Sequence, residues 1–351
     1  MVKKIVKFLK DWTLPCAIGV GSALYLTFYY VPQLDATGDR LAPVIDTLFP
    51  LSVFMTLLVT FCKVDFHQMR PHRWQAAVLA AQLLLVAMTV GIILWTKQGA
   101  NDGGSQLFTF HSSFFTSEAS LFWEALLTCI IGPAASASPV VVGKLGGNIS
   151  TMTTYVLLSS LASALFIPLV FPMLEQTVHV DFMSAFLIIL HKVAMVLLLP
   201  LVLGWVVQHH LPRLQQRIAA VPDLNFYCWA VSLSITSGIT VKNIVHSEAT
   251  HTLLAAIAVG TLVLCGVQFV TGRGIGRWCE QQTAKSGGRA VNSEERIEIN
   301  AGQALFQKNT ALSIWVAYMY LNPVASIGAG CYVLWQNIIN SIELWQKARR
   351  R

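Results

Sequence analysis

Residues 302–315 read GQALFQKNTALSIW, and they place a lysine, Lys308, inside an apolar stretch near the C-terminus. A lysine at the centre of a membrane helix costs about 2.5–3.5 kcal/mol on insertion scales, so such a residue indicates function by default. In the competing interpretation, the lysine side chain extends so that its amine reaches the membrane surface. This is hardest from the middle of a span. The stretch therefore predicts a polar interruption at membrane depth.

The composition is that of a chain whose surface faces lipid. Of the 351 residues, 55% are hydrophobic and 12% are charged, whereas about a quarter of the residues in soluble domains are charged. A soluble domain of this size would still need a charged surface. The composition therefore predicts an integral membrane protein.

Ten stretches of about 20 mostly apolar residues predict ten membrane helices. The predicted spans are residues 12–31, 42–63, 74–96, 119–143, 149–172, 181–208, 223–242, 252–272, 297–320 and 323–346. The first span follows a basic N-terminus, but no small-residue cleavage site stands out, so we interpret it as a retained helix rather than a signal peptide.

The basic residues support this count through the excess of Lys and Arg in cytoplasmic segments. If both termini are cytoplasmic, nearly all of the 24 Lys and Arg residues fall in inner segments. The outer segments hold only Arg40, Lys97 and Lys242, while Lys192 and Lys308 lie within spans. The net charge of +7 is thus a feature of topology and not a nucleic-acid patch, and we expect a bacterial inner-membrane protein.

Ten spans with both ends inside divide into two halves, residues 1–172 and 173–351. Five spans in each half force the halves into opposite orientations, and inverted repeats recur in secondary transporters. The fourth span contains the helix breakers Gly132, Pro133 and Pro139, and the ninth contains the stretch around Lys308. Interruptions at matching positions predict a binding site at the bilayer midplane.

Side chains with hydroxyl and amide groups surround both interruptions. Freed carbonyl groups at broken helix ends suit cations, and freed N–H groups suit anions. The candidate ligands near the first interruption and at the start of the fifth span are Ser136, Ser138, Asn148, Ser150, Thr151 and Thr154. Those at the second interruption are Gln303, Gln307, Lys308, Asn309 and Thr310. The alternative for the small residues of the fourth span is close helix packing.

Other polar residues within spans leave two interpretations open. Lys192 is also mid-span and lies beside His191, but no polar cluster accompanies the pair, so a functional role and a buried ion pair remain alternatives. Gln82 and Gln268 are isolated amides of the kind that joins helices. The seven scattered cysteines have neither metal-ligand nor disulfide spacing, so we predict buried thiols and no cofactor other than a coupling Na⁺ or H⁺.

At the two interrupted stretches the sequence resembles the bile acid:sodium symporter family, and the resemblance extends over most of the chain. It implies a core domain of spans three to five and eight to ten, and a panel domain of spans one, two, six and seven. The discontinuous fourth and ninth helices would cross near the midplane, with sodium bound beside the crossing. A substrate would lie between the two domains and become accessible from each side in turn.

The ninth span of family members typically reads Glu-x-Gly-x-Gln-Asn, in which the acid and the amides bind sodium. Gln307 matches the glutamine, but Gln303 stands in place of the acid and Lys308 in place of the asparagine. The resemblance implies a sodium site at Gln303, Gln307, Ser138 and Thr154, with Gln82 as the third-span glutamine and Asn148, Ser150 and Thr151 opening the fifth span.

This departure gives Lys308 three alternative roles. Its ammonium could replace a sodium ion, it could lose its proton during the cycle and couple transport to protons, or it could pair with an anionic substrate. Two unit charges about 4 Å apart interact by about 4 kcal/mol at an effective dielectric constant of 20, so an ammonium would disfavour a neighbouring sodium ion.

We therefore predict a secondary active transporter for a small organic anion or a bile-acid-like amphipathic acid, working by alternating access in the lipid bilayer. Its oligomeric state is open. The sequence contains no GxSxG, HExxH, paired aspartates or P-loop, so we do not expect an enzyme or an ATP-driven pump. A channel and an intramembrane enzyme are the alternatives from other classes.

Overall fold

The computed structural model describes residues 13–63, 71–101, 117–174, 182–221, 224–285 and 296–349. Within these ranges the chain forms thirteen α-helices, one short 3₁₀ turn at Pro32–Leu34 and one isolated β-bridge. The all-α class predicted from the apolar runs is confirmed for this part of the chain. The basic N-terminal segment used for orientation, residues 1–12, lies outside the described residues.

The helices follow the predicted spans, except that two spans are divided, the eighth continues to Lys285 and a short additional helix forms at Pro212–Ala220. The first six are α1 (Thr13–Tyr30), α2 (Asp35–Lys63), α3 (Arg73–Asn101), α4 (Ser117–Ile131), α5 (Ser138–Leu145) and α6 (Ile149–Leu174). The other seven are α7 (Phe182–His210), α8 (Pro212–Ala220), α9 (Leu224–Val245), α10 (His251–Lys285), α11 (Ile297–Phe306), α12 (Thr310–Tyr320) and α13 (Pro323–Arg349).

Six of the described helices are long and apolar enough to cross a membrane, namely α2, α3, α6, α7, α9 and α10. The predicted fourth and ninth spans are not among them because each is divided into two helices that are too short. The tenth, α13, carries the buried amides Gln336, Asn337 and Asn340, which lower its apolar character. The prediction of ten spans therefore stays a prediction beyond these six.

The outer surface of the long helices is apolar. Val259, Val263, Val267 and Val270 form one exposed face of α10, at spacings of three and four residues. An exposed stripe of this kind is stable against lipid and unfavourable in water. The surface thus agrees with the membrane location expected from the composition.

The described helices pack in a pattern that positions the two interruptions centrally. Helix α4 lies against α3 and α13, α11 lies along α10, and α12 packs on α13. Helix α1 packs against α9, while α2 packs against α7 and α9. The predicted core and panel also contact each other through α6 with α7 and α9 with α13. The division into two domains accordingly stays a prediction.

The close contact between α10 and α11 depends on glycines on one face of α10. A Cβ atom at Gly272 would stand 2.6 Å from Ala301 O, and one at Gly276 would stand 2.5 Å from Glu298 Cα. Both distances are shorter than any tolerable contact, so only glycine lets the two backbones come this near. Small residues serve the same purpose between other membrane helices.

Candidate functional site

The first interruption separates α4, which ends at Ile131, from α5, which begins at Ser138. Gly132 and Pro133 stop the first helix, and Pro139 lies in the first turn of α5, where its missing N–H removes no helical hydrogen bond. Both interruptions predicted from the sequence are present, and this one ends α4 within the buried interior.

A buried amide satisfies the carbonyl groups at the end of α4. The Nε2 of Gln82 donates to Ile130 O at 2.9 Å and to Gly132 O at 3.0 Å. The Tyr155 hydroxyl of α6 donates to Gln82 Oε1 at 3.3 Å. Both amide hydrogens of Gln82 are therefore used within the protein, as expected of a residue that joins helices.

The second interruption separates α11, which ends at Phe306, from α12, which begins at Thr310. The Tyr332 hydroxyl of α13 donates to Phe306 O at 2.7 Å, and Gln268 Nε2 of α10 donates to the Tyr332 oxygen at 3.1 Å. A glutamine and a tyrosine from neighbouring helices thus hold this broken end too. Gln268 also joins helices, through a 3.4 Å donation to Cys129 O of α4.

The two interruptions contact each other through their backbones. Ala134 and Lys308 face each other in an antiparallel bridge, flanked by Ala135 N donating to Gln307 O at 2.8 Å and Asn309 N donating to Pro133 O at 2.9 Å. The crossing is therefore held by main-chain hydrogen bonds, such as join two strands. These bonds leave the N–H groups of the two bridge residues themselves to be satisfied elsewhere.

The partners of those two N–H groups occupy corresponding places in the two halves of the chain. Ala134 N donates to Ser159 Oγ at 3.1 Å, and Lys308 N donates to Gln336 Oε1 at 3.0 Å. Each acceptor follows, by four residues, the tyrosine that helps to hold the broken helix, Tyr155 in α6 and Tyr332 in α13. This correspondence supports the predicted inverted repeat, which itself stays a prediction.

The side chain of Lys308 is enclosed at the crossing. Its exposed fraction is 1%, and its Nζ has no hydrogen-bond partner within the described part of the chain. The interpretation in which the amine reaches a membrane face is therefore wrong for this structure. None of the ion pairs formed by described residues includes Lys308.

Further buried polar atoms around the broken helices are also unpartnered within the described residues. They are Ser138 Oγ, Gln303 Oε1, both polar atoms of the Gln307 side chain and Ser313 Oγ. Buried polar groups in folded proteins almost always have a partner, so an unpartnered group calls for a bound species or water. The predicted ligands Ser138, Gln303, Gln307 and Lys308 all show this property.

A narrow cavity, with about 20 Å³ of room for a water-sized molecule, lies between the interruptions and helices α2 and α9. Its lining combines hydroxyl groups with an apolar wall, and among the residues that the structure describes Lys308 is the one charged residue in it. The lining residues are Val53, Thr56, Ala135, Ser136, Trp229, Ser232, Leu233, Thr236, Lys308, Asn309, Thr310, Ala311 and Val333. The predicted residues Ser136, Asn309 and Thr310 are thus brought together with Lys308.

The resemblance implied a substrate between the core and a panel that includes α2 and α9, but no residue of these two helices was among the predicted ligands. Thr56, Ser232 and Thr236 line the cavity, and Trp229 forms part of its apolar wall. A pattern in the sequence could have revealed them, because hydroxyl residues recur every fourth position in both helices. The series are Ser52, Thr56, Thr60 in α2 and Ser232, Thr236, Thr240 in α9.

Asn148 and Thr151 lie away from the crossing, at the start of α6. Asn300 Nδ2 donates to Asn148 O at 2.7 Å and to Thr151 Oγ1 at 2.8 Å, and the three residues line a separate, smaller cavity. At 1.5 Å per residue, Asn148 is about 16 Å along α6 from Ser159, which contacts the crossing. In this structure these two predicted ligands therefore do not share a cavity with Lys308.

Ser150 and Thr154 belong to the same part of α6. Thr154 is buried, and its hydroxyl donates to Ser150 O at 3.0 Å within the helix. This bond leaves the lone pairs of the Thr154 hydroxyl able to accept a hydrogen bond or bind an ion. Thr154 lies about 7 Å along the helix from Ser159, between the start of α6 and the crossing.

Gln303 has an acidic neighbour on another helix. Its Nε2 donates to Glu343 Oε2 at 2.9 Å and to Asn340 Oδ1 at 3.1 Å, both on α13. Glu343 is paired with Arg273 of α10, which also lies 3.2 Å from Glu298. The carboxylate absent from position 303 is thus present nearby, but an arginine already neutralises it.

The pair predicted in the sixth span remains unassigned. His191 is exposed on α7, and the side chain of Lys192 lies outside the described residues. A role for this pair accordingly stays an open prediction.

Comparison with known proteins assigns the chain to a family. No individually curated protein matches the sequence. The profile of the Sodium Bile acid symporter family, however, matches residues 50–247, which is more than half of the chain and extends from α2 to the end of α9. The interruption at Lys308 lies beyond the matched residues. The chain thus belongs to the sodium bile acid symporter family of membrane transporters.

Proposed function

We propose that this protein is a secondary active transporter that carries a small organic anion across the membrane by alternating access. Family membership supports transport as the general activity. The observation that carries the substrate class is the cavity beside the crossing, in which Lys308 is the one charged residue among the described residues of the lining. A buried cation without a carboxylate partner favours a negatively charged ligand.

The broken helices add positive potential to the same cavity. Helix α12 begins at Thr310, and Asn309, Thr310 and Ala311 at its N-terminus all line the cavity. The Asn309 side chain caps the helix by accepting from Leu312 N at 3.2 Å. The N-terminal end of a helix carries a partial positive charge, which favours an anionic group in the cavity.

The other walls suit the remainder of an amphipathic acid. Trp229, Leu233, Val53 and Val333 provide apolar surface, and the hydroxyl groups of α2 and α9 provide hydrogen-bonding positions. In this structure the cavity has only about 20 Å³ of room for a water-sized molecule, so its walls would have to separate before an organic acid could enter. A small carboxylic or sulfonic acid with an apolar body fits this combination.

Alternating access would follow from relative movement of the walls. The cavity lies between the interruptions, assigned by resemblance to the core, and helices α2 and α9, assigned to the panel. Rocking of one group of helices against the other around a fixed central site is the usual mechanism of carriers with inverted repeats. We expect the site to lie near the bilayer midplane and both termini to be cytoplasmic in a bacterial inner membrane.

Counterflow in proteoliposomes tests the proposal. Vesicles preloaded with unlabelled organic acid should take up labelled acid faster than empty vesicles, and uptake should saturate. A channel would show neither the acceleration nor saturation at low concentration, and an intramembrane enzyme would convert the acid instead of accumulating it. Uptake without acceleration and saturation, or conversion of the acid, would exclude a carrier.

The coupling ion is a second open point. The unpartnered oxygens of Gln303, Gln307 and Ser138, together with the Thr154 hydroxyl, could serve a sodium ion of the kind the family description names. Lys308 opposes this site because its charge would repel a nearby cation. The alternative is therefore a sodium-independent or proton-coupled carrier, which uptake with and without sodium and across a pH gradient would distinguish.

A further inference from the structure

We propose that Lys308 is the counter-ion of the substrate, so that one carboxylate or sulfonate group pairs with its ammonium and the loaded site needs no sodium ion. The proposal rests on the proposed transport function and adds to it the charge of the substrate and the residue that recognises that charge. It follows from the burial of Lys308, its lack of partners among the described residues and the charges around it.

The ammonium of Lys308 has three hydrogen-bond donors, and none of them has a partner within the described part of the chain. The residue is 99% enclosed and also contributes to the lining of the cavity beside α2 and α9. A buried, uncompensated charge is highly unfavourable. An anionic group that enters the cavity would supply both the missing charge and the missing acceptors.

The carboxylates on the nearby part of α11 and on α13 are already engaged. Glu343 pairs with Arg273 and accepts from Gln303, while Glu298 pairs with Arg273 and Arg277. The cavity lining itself includes no acidic residue among those the structure describes. The protein therefore offers Lys308 no counter-ion from these groups, and the ligand has to bring one.

The same arrangement weakens the case for sodium beside Lys308. Gln303 directs its amide hydrogens at Glu343 and Asn340, so its carbonyl oxygen is the atom left for a cation. A neutral oxygen is a weaker ligand for a hard cation than a carboxylate. The ammonium of Lys308 would add repulsion to this loss.

One lysine compensates one negative charge. A second charge on the ligand would have to be buried against hydroxyl groups and helix N-termini alone, which is less favourable than pairing with an ammonium. We therefore infer a preference for monoanions over both uncharged and doubly charged analogues. This preference can be measured by binding, without any transport step.

The experiment uses the purified full-length chain and four probes: cholate and octanoate, each beside its uncharged primary amide. Binding is measured by calorimetry in sodium chloride and in choline chloride. We expect at least one acid to bind about tenfold or more tightly than its amide, with equal affinity in the two salts. Proteoliposome uptake of the same acids is recorded in parallel.

Two variants each remove one positive charge, one inside the cavity and one at an exposed position. K308N should abolish the preference for the acid over its amide, whereas K242N should retain it, because Lys242 is exposed at the end of α9. K308R keeps the charge and should retain part of the preference. Thermal unfolding of each variant shows whether it is folded. If K308N does not fold, the comparison of acids with amides in the two salts still tests the proposal on the unaltered chain.

The outcomes separate this inference from the proposed function. If an acid is transported but its binding needs sodium, or if folded K308N still prefers the acid, the counter-ion role of Lys308 is wrong while the transporter stands. If these acids and a wider panel of organic acids neither bind nor enter vesicles, the proposed function itself fails and the inference fails with it.

Discussion

Gln336 holds Lys308 by both of its backbone polar groups: Lys308 N donates to Gln336 Oε1 at 3.0 Å, and Gln336 Nε2 donates to Lys308 O at 3.2 Å. A primary amide that pairs with a peptide in this way takes the place of a neighbouring strand. The Lys308 carbonyl also accepts from Thr310 N at 2.9 Å, so its N–H is the group that depends on Gln336. The side chain of α13 thereby fixes the peptide from which the buried lysine projects.

Replacing Gln336 by methionine, which has a similar length, should destabilise the protein by about 2–3 kcal/mol. The change removes both hydrogen bonds and leaves the Lys308 N–H buried without an acceptor, and an unsatisfied buried donor alone costs about 1–3 kcal/mol. Unfolding of the detergent-solubilised protein, followed by circular dichroism in a denaturant series, measures the loss.

Gln346 on the same helix provides the control for this change. It is exposed, so Gln346→Met should alter the free energy of unfolding by no more than about 0.5 kcal/mol. If the two variants lose the same free energy of unfolding, methionine is unfavourable in helix α13 at both positions. The hydrogen bonds between Gln336 and Lys308 then contribute nothing specific to stability.

The sequence predicted the interruptions correctly because their cause is local. Gly132 and Pro133 together disfavour a continuous helix, although single prolines such as Pro200 in α7 are accommodated, and a lysine in the middle of a span indicates function. Gln336 and Tyr332 could not be recognised in the same way, because their partners lie more than twenty residues earlier in the chain. Their role depends on how α13 packs on the crossing, which is a tertiary relationship.

Closeness in sequence does not predict which cavity a residue lines. Asn148 and Thr151 follow the first interruption by about ten residues and were grouped with it. Helix α5 instead carries the chain away from the crossing, so that α6 begins beside Asn300, at the far end of α11 from the second interruption. A list of polar residues near a break cannot predict the direction in which the next half-helix runs.

Replacing Gly272 by alanine should separate α10 from α11. The added Cβ would stand 2.6 Å from Ala301 O, a backbone atom that cannot rotate aside, so we expect a loss of about 1–3 kcal/mol in stability. The intrinsic gain from replacing a helical glycine by alanine, up to about 1 kcal/mol, is too small to offset this clash. Denaturant unfolding again measures the result.

Gly274 is a matched control on the same helix, two residues away. A Cβ there meets nothing within 4 Å, so Gly274→Ala should be neutral or slightly stabilising. Should Gly272→Ala be as stable as Gly274→Ala, the close packing of α10 on α11 described for this chain is incorrect.

Removing the charge of Arg273 should be more damaging than removing that of Arg277. Arg273→Met leaves Glu343, whose side chain is 13% exposed, without its arginine, and we expect a loss of about 2–3 kcal/mol. Arg277 is 63% exposed, so its ion pair is screened by solvent and Arg277→Met should be clearly less damaging. Unfolding free energies at neutral pH provide the comparison.

A double variant tests the cause of that difference. Arg273→Met with Glu343→Gln removes both charges, so no unpaired carboxylate remains and part of the lost stability should return. The single variants Arg273→Met and Glu343→Gln are measured beside it. If their losses of stability add up to the loss in the double variant, Arg273 acts through its contact with the Phe269 ring and not through Glu343. The guanidinium carbon lies 4.7 Å from the centre of that ring.

Replacing Thr236 by valine should weaken transport more than the same substitution outside the cavity. Its hydroxyl lines the cavity beside Lys308 and donates to Ser232 O at 2.7 Å, while valine keeps the shape of the side chain. Losing one hydrogen-bonding position in the cavity, worth about 0.5–1.5 kcal/mol, should raise KM for the organic acid about two- to tenfold.

Thr261→Val is the control, because Thr261 makes the same bond, to Ile257 O at 2.8 Å, on α10 and outside this cavity. Proteoliposome uptake at a series of substrate concentrations compares the two variants. Because both lose an equivalent intrahelical hydrogen bond, an equal rise in KM would mean that the hydroxyl groups of α9 do not face the substrate.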